Sequence, residues 1–183
     1  MKRLFDILFS SVALLVLSPV MILIALWIKK DGGAVLYTQT RVGFKGREFK
    51  LFKFRSMVED ADKIGGYSTL KDDNRITPIG QVIRKTSLDE IPQFLNVMLG
   101  DMSLVGPRPN VPAQRGEYTK EQWDLRNSVL PGITGLAQAI NRSSATWQER
   151  YDLDAQYVSK RTFLFDLKII LMTVRQVFLK GGY

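Results

Sequence analysis

Apolar residues crowd the first thirty positions of the chain and then thin into short periodic runs. From Leu4 to Ile28 the sequence reads LFDILFSSVALLVLSPVMILIALWI, 25 residues in which only Asp6 is charged. A straight helix of that length would reach roughly 37 Å, more than the hydrocarbon core of a bilayer at about 30 Å. A single transmembrane anchor is therefore one expectation. A cleaved signal peptide is not, because no small-x-small site separates the apolar run from Lys29-Lys30. Two features point instead to a helix that enters and leaves on the same face. Ser18-Pro19 lies inside the run, where proline removes a helix hydrogen bond and crowds the carbonyl four residues back; Ser18 can resatisfy the freed backbone. Lys2-Arg3 and Lys29-Lys30 flank the run equally, so the positive-inside bias puts neither end outside. The second arm, Pro19 to Ile28, covers only about 15 Å and is too short to span alone. On these residues the spanning and the re-entrant helix both stand.

Farther along, Ala34 to Gln39 and Glu48 to Phe54 read as strands, with Gly43 and Gly46 turning them into a hairpin. The second strand sets Phe49, Leu51 and Lys53 against Lys50, Phe52 and Phe54, an imperfect alternation. Glu59 to Arg75 is polar and unperiodic, a loop. Thr77-Pro78 opens a helix with Thr77 as N-cap and a stripe of Ile79, Val82 and Ile83. A second helix is expected from about Leu88 to Leu99, with Ser87 and Glu90 as a capping box and Ile91, Phe94, Leu95 and Met98 at helical spacing. Thr146 and Glu149 form another capping box, opening a helix through about Val158. A last stripe runs Phe163, Leu167, Ile170, Leu171, Val174, Phe178, with Lys168, Arg175 and Lys180 off that face. Such a stripe faces a core or lies in the headgroup plane of a membrane. The fold class is α+β: an amino-terminal membrane helix interrupted at Ser18-Pro19, a β-hairpin packed with helices, and carboxy-terminal amphipathic helices.

Composition narrows the chemistry. The 183 residues suffice for one domain plus an appended segment. Lys and Arg number 26 against 18 Asp and Glu, a formal charge of +8, which suits nucleic acid, acidic headgroups or phosphorylated small molecules. The chain has neither Cys nor His. That excludes disulfides, thiolate catalysis and Cys-ligated metals, and removes the commonest general base. A nucleophile or base must be Asp, Glu, Ser, Thr, Lys or Tyr, and any metal must sit on oxygen, as Mg²⁺ or Mn²⁺ does.

Asp89-Glu90, in Arg84-Lys85-Thr86-Ser87-Leu88-Asp89-Glu90-Ile91-Pro92, is the first chemical candidate. As structure alone, it is a helix cap whose acids complement the helix dipole. As a site, a helix N-terminus binds phosphate, Arg84 stands a short turn upstream, and an ionised Asp89 could attack phosphorus. Gly106-Pro107-Arg108-Pro109 is the second. Its prolines limit the conformations Arg108 must lose, and a guanidinium grips phosphate in bidentate fashion; otherwise it is a rigid turn with an incidental Arg. Lys53 and Arg55 are further candidate phosphate contacts, or simply solvated strand cations. Asp154 and Asp166 are secondary acids or helix surface charges. No P-loop, dinucleotide fingerprint or repeat is present.

Together, Lys53-Phe54-Arg55-Ser56-Met57, Arg84 through Gln93, Gly100-Asp101-Met102-Ser103-Leu104-Val105-Gly106-Pro107-Arg108-Pro109 and Leu130-Pro131-Gly132-Ile133-Thr134-Gly135-Leu136-Ala137-Gln138 resemble the bacterial sugar transferase family, specifically its small monotopic phosphoglycosyl transferases. The resemblance covers nearly the whole chain. It implies a re-entrant helix over residues 1–30, broken at Ser18-Pro19, and a catalytic domain over 31–183 on the cytoplasmic face of the bacterial inner membrane. It implies that Asp89 attacks the β-phosphate of a UDP-sugar, releases UMP and passes the phosphosugar to polyprenyl (undecaprenyl) phosphate, a ping-pong sequence. Glu90 would assist by proton transfer or positioning, Arg84 and Arg108 would hold phosphates with Lys53 and Arg55, and Mg²⁺ would be required, with Asp89 a ligand. The partners implied are the UDP-sugar, the polyprenyl phosphate and the bilayer, and no nucleic acid. Ala139-Ile140-Asn141-Arg142 departs from a Val-Asn-Gly-Arg-like turn, which bears on sugar recognition. No motif assigns a sugar, a pathway or an oligomeric state. Two alternatives compete: a glycosyltransferase that releases UDP, for which a Rossmann-like pattern is lacking, and a basic, non-enzymatic membrane module, which leaves Asp89-Glu90 beside Arg84 without a purpose.

Overall fold

The computed structural model describes residues 1–65, 73–141 and 146–180. Its first helix, α1 (Lys2–Lys30), runs through Pro19 without a break. The proline leaves the carbonyl of Leu15 without an N–H donor, and Ser18 Oγ donates to that same carbonyl at 2.8 Å. Helical hydrogen bonding is repaired where an interruption was expected. The middle of α1 is apolar and exposed, including Val12, Leu15, Val16, Ile22 and Leu23.

Both ends of α1 dock on one domain. Near its start, Asp6 accepts from Ser103 Oγ at 2.8 Å, and Lys2 Nζ donates to Asp166 at 2.6 Å. Near its end, Ile24 and Ile28 are buried with Phe54, Ile79 and Ile83.

The expected hairpin forms, with its first strand displaced toward the turn: β1 (Leu36–Val42) pairs antiparallel with β2 (Glu48–Phe54), Leu36 opposite Phe54 and Val42 opposite Glu48. Gly43 to Arg47 closes the turn, with Gly46 at φ +76°. The imperfect alternation of β2 has a cause. Leu51 packs against Val97 and Met102 on one side, while Phe54 packs under α1 on the other, so the strand is covered on both faces.

The loop after β2 contains one short helix, α2 (Ala61–Ile64), and is closed where Val58 N donates to the carbonyl of Arg75 at 2.9 Å; residues 66–72 of that loop lie outside the described residues. Helix α3 (Pro78–Lys85) starts as expected, with Thr77 Oγ1 accepting from Gly80 N at 3.0 Å. The expected second helix does not start at its capping box. Ser87 sits in the left-handed region (φ +58°) and makes no cap, Leu88–Glu90 is a 3₁₀ turn, and α4 covers only Gln93–Leu99. Its apolar stripe is split: Ile91 is buried and Phe94 packs against the core, while Leu95 and Met98 are exposed with Leu99, and Gln93, Asn96 and Val97 are buried.

Two three-residue strands escape the periodic reading, β3 (Ser103–Val105) and β4 (Gly132–Thr134), which pair in parallel. Their backbones approach so closely that a Cβ on Gly132 would lie 2.1 Å from the nitrogen of Gly106, which explains a glycine at each point. Helices α5 (Lys120–Arg126), α6 (Leu136–Asn141), α7 (Trp147–Lys160) and α8 (Phe163–Lys180) complete the described fold. The capping box of Thr146 and Glu149 is present at α7. On α8, Asp166 and Ile169 are buried, whereas Phe163, Leu164, Leu167, Leu171 and Val174 are exposed; the side chain of Phe178 lies outside the described residues. The stripe read from sequence thus turns largely away from the core.

Neither Asp154 nor Asp166 is a surface charge. Asp154 is ion-paired with Arg126 at 2.7 Å. Asp166 receives Lys2, and its Oδ1 lies 2.9 Å from the hydroxyl of Tyr157. Long-range partners that no local pattern encodes draw both inward.

Candidate active site

Glu90 is the hub of the site. Its Oε1 accepts from Lys53 Nζ at 2.8 Å and from Arg108 Nη2 at 2.6 Å, and its Oε2 lies 3.5 Å from Arg108 Nη1. Three separate segments are joined: β2 supplies Lys53, the 3₁₀ turn supplies Glu90, and the loop after β3 supplies Arg108. Burial works to raise the Glu90 carboxyl, yet Arg108 and Lys53 together hold it well below the usual carboxylate range. Burial in turn lowers the Lys53 ammonium, against the pull of Glu90. A carboxyl so strongly held in its ionised form is poorly suited to exchanging protons near neutrality. It holds the Lys53 and Arg108 cations together.

Asp89 is only 5% exposed. Burial pushes its carboxyl up to about 6, against the nearby charges of Lys53, Arg84 and Arg108 and with the help of Glu90. The helix N-terminus expected to keep it firmly ionised is absent, because α4 begins four residues later. No hydrogen-bond donor among the described residues engages its carboxylate. Asp89 is therefore a buried acid whose carboxylate accepts no hydrogen bond from the described residues.

Arg84 lies in the last turn of α3 and reaches Ser56 Oγ at 3.4 Å. Arg55 goes elsewhere: its Nη2 donates to the carbonyls of Ile28 and Gly32, closing the end of α1. Five of the six candidates thus converge, and Arg55 is a tether between the domain and the apolar helix.

Sequence reasoning missed two supporting residues. Asn96, fully buried, accepts from Phe52 N at 3.0 Å and donates to the Lys50 carbonyl at 2.7 Å. It acts as a substitute strand edge, fixing α4 and the turn before it against the strand that carries Lys53. Arg126 lies beneath Arg108 and donates to its carbonyl at 3.0 Å. The signal for Asn96 was a polar residue in the middle of an apolar helix; Arg126, at the end of a charged helix, gave none.

The donor set can be tested against a metal. Among the described residues no group of three or more acidic side chains converges, so a complete protein cage is absent there. Mg²⁺ commonly takes one or two carboxylates together with substrate phosphates and water. Asp89 fits that partial role, whereas Glu90 is occupied by Lys53 and Arg108.

Against this geometry the comparisons with known proteins are consistent. The sequence pattern of the family described as bacterial sugar transferase matches residues 1–180. An uncharacterized sugar transferase, EpsL of Bacillus subtilis, is 44% identical over 184 residues, covering 100% of this chain and 89% of that protein. The UDP-glucose:undecaprenyl-phosphate glucose-1-phosphate transferase of Escherichia coli is 41% identical over all of this chain and 41% of its own length. The undecaprenyl-phosphate galactose phosphotransferase of Salmonella typhimurium is 38% identical, again over 100% of this chain and 41% of its own. The chain spans most of EpsL but about two-fifths of each of the other two.

Proposed function

This chain belongs to the bacterial sugar transferase family, and we propose that it transfers a sugar 1-phosphate from a UDP-sugar to polyprenyl phosphate, releasing UMP. The observation that carries the reading is the arrangement of one buried, uncommitted carboxylate, Asp89, beside three cations, of which Lys53 and Arg108 are fixed by Glu90. An anion attacking an anionic diphosphate needs that arrangement: a nucleophile poorly solvated by water, and charge to oppose the phosphate oxygens.

In the proposed sequence an Asp89 oxygen attacks the β-phosphorus. The phosphoanhydride bond breaks, and UMP leaves with the bridging oxygen. A phosphate oxygen of the polyprenyl carrier then attacks the same phosphorus, the bond to Asp89 breaks, and the carboxylate is regenerated beside a polyprenyl diphosphosugar. Arg108, Arg84 and Lys53 hold phosphate oxygens, and Glu90 holds Lys53 and Arg108. Asp89 would hold Mg²⁺, which would supply further charge neutralisation.

The carrier is a lipid, so the site belongs at a bilayer. Exposed apolar residues on α1, on α4 (Leu95, Met98, Leu99) and on α8 support a domain resting on the membrane. The docking of both ends of α1 on one domain, with its middle apolar and exposed, supports a helix that bends at Pro19 and re-enters on the cytoplasmic face. Relatives named for glucose and for galactose are nearly equally similar to this chain, so the sugar is left to experiment.

The deciding experiment incubates purified protein with Mg²⁺, undecaprenyl phosphate and a panel of UDP-sugars, and quantifies UMP and UDP separately. UMP release from one sugar, lost in Asp89→Asn, is expected. UDP in its place would mean attack at the sugar carbon and a different enzyme.

A further inference from the structure

Beneath the Pro107-Arg108-Pro109 turn lies a buried charged cluster that the proposed chemistry does not use. Arg126, at the end of α5 and 4% exposed, donates from Nε to Asp154 Oδ2 at 2.9 Å, and its Nη2 lies 2.7 Å from that same oxygen. Its Nη1 donates to Asn110 Oδ1 at 2.7 Å, and its Nη2 donates to the carbonyl of Arg108 at 3.0 Å. The guanidinium also lies over the ring of Tyr118, 5.2 Å from its centroid. Asp154 projects from α7 and is 1% exposed.

A buried ion pair is weak evidence of stabilisation, since apolar residues of similar volume often serve the fold as well or better. What apolar residues could not supply is a planar fork whose arms reach the backbone of Arg108 and the side chain two residues on. From the other side, Arg41 Nη1 donates to the carbonyl of Pro109 at 3.0 Å. The turn is therefore gripped at successive peptide groups while Glu90 holds the far end of the Arg108 side chain.

We infer that Arg126, itself fixed by Asp154, is a positioning residue for Arg108, holding that turn so that its guanidinium meets the diphosphate of the donor. The inference rests on the function proposed above and extends it to residues that touch no substrate.

A double-mutant cycle tests it, with Arg126→Lys and Arg108→Ala in the full chain. Lysine keeps a charge for Asp154 but lacks the fork that reaches Asn110 and the Arg108 carbonyl together. Two readouts are taken: UDP binding by calorimetry in Mg²⁺, and the rate of UMP release. Arg126→Lys is expected to lower UDP affinity and kcat/KM by roughly 10- to 100-fold with little change in Tm, as misplaced contacts do. In the Arg108→Ala background the same change should cost less than about threefold, because the residue being positioned is gone. A role confined to holding the fold would give equal factors in both backgrounds. That result, or wild-type behaviour of Arg126→Lys, overturns the inference. If Arg126→Lys loses its cooperative unfolding transition, Asp154→Asn replaces it in the cycle and is judged by the same criterion. A wild type that binds UDP but releases no UMP refutes the proposed function alone, and the binding arm still decides the role of Arg126. No UDP binding at all overturns both.

Discussion

Lys53 and Glu90, 37 positions apart in sequence, meet Nζ to Oε1 at 2.8 Å. Arg108 shares the same oxygen at 2.6 Å, so one carboxylate holds two cations together. Glu90→Gln keeps the shape and removes the charge, leaving Lys53 and Arg108 to repel each other. We expect kcat/KM for UMP release to fall by roughly 100-fold, the scale of losing a preorganised charge contact. Near wild-type turnover would remove Glu90 from the machinery.

Asp89→Asn should abolish turnover and raise Tm together. The Asp89 carboxyl is pushed from 3.8 up to about 6 by burial. The folded chain therefore binds more protons than the unfolded one between those values, and the contribution of Asp89 to stability falls as pH rises through that window. Above it a penalty remains, on the order of 3 kcal/mol. The neutral amide escapes most of it. Calorimetric unfolding at pH 7.5 and pH 4 checks this: the mutant's advantage should be large at the first and small at the second. An unchanged Tm at pH 7.5 would contradict the burial argument.

The rate should follow the same group. A carboxylate nucleophile must be unprotonated, so kcat/KM is expected to be flat at neutral pH and to fall about tenfold per unit well below pH 6, where Asp89 protonates. Glu90 contributes no limb near neutrality, because its carboxyl lies well below the usual range. A profile flat down to pH 4.5 would count against Asp89 as the nucleophile.

The re-entrant helix proposed above requires both ends of α1 to face the cytoplasm. The chain contains no cysteine, so single-cysteine variants report position cleanly. A cysteine added ahead of Met1 and Asp31→Cys should both resist a membrane-impermeant maleimide in spheroplasts and both react in inverted vesicles. Labelling of one end only from outside would establish a spanning helix instead.

Much of the fold was legible locally. The apolar run of α1, the role of Ser18 in restoring the hydrogen bonding lost at Pro19, the hairpin of β1 and β2, and the caps at Thr77 and Thr146 all depend on interactions within a few residues. The motifs around Lys53, Asp89 and Arg108 likewise marked the family and the residues that meet. Strands β3 and β4 were not legible, because three residues carry no period and their pairing partner lies 29 positions away, Ser103 against Gly132.

Local patterning determined α1, α3, α7, α8 and the β1–β2 hairpin and marked residues that could do chemistry, because short-range hydrogen bonds and periodicity are written in neighbouring positions. Tertiary structure alone decided what those residues do. Ser87 and Glu90 satisfy the pattern of a capping box, yet Glu90 turns to Lys53 and Arg108, since two cations outbid a backbone N–H for a carboxylate. Asp154, read as a surface charge or a secondary acid, is buried against Arg126 for the same reason. The stripe of α8 looks like a core face and turns largely outward, and that of α4 is split between core and solvent, because periodicity reveals that a helix has an apolar side but not what covers it.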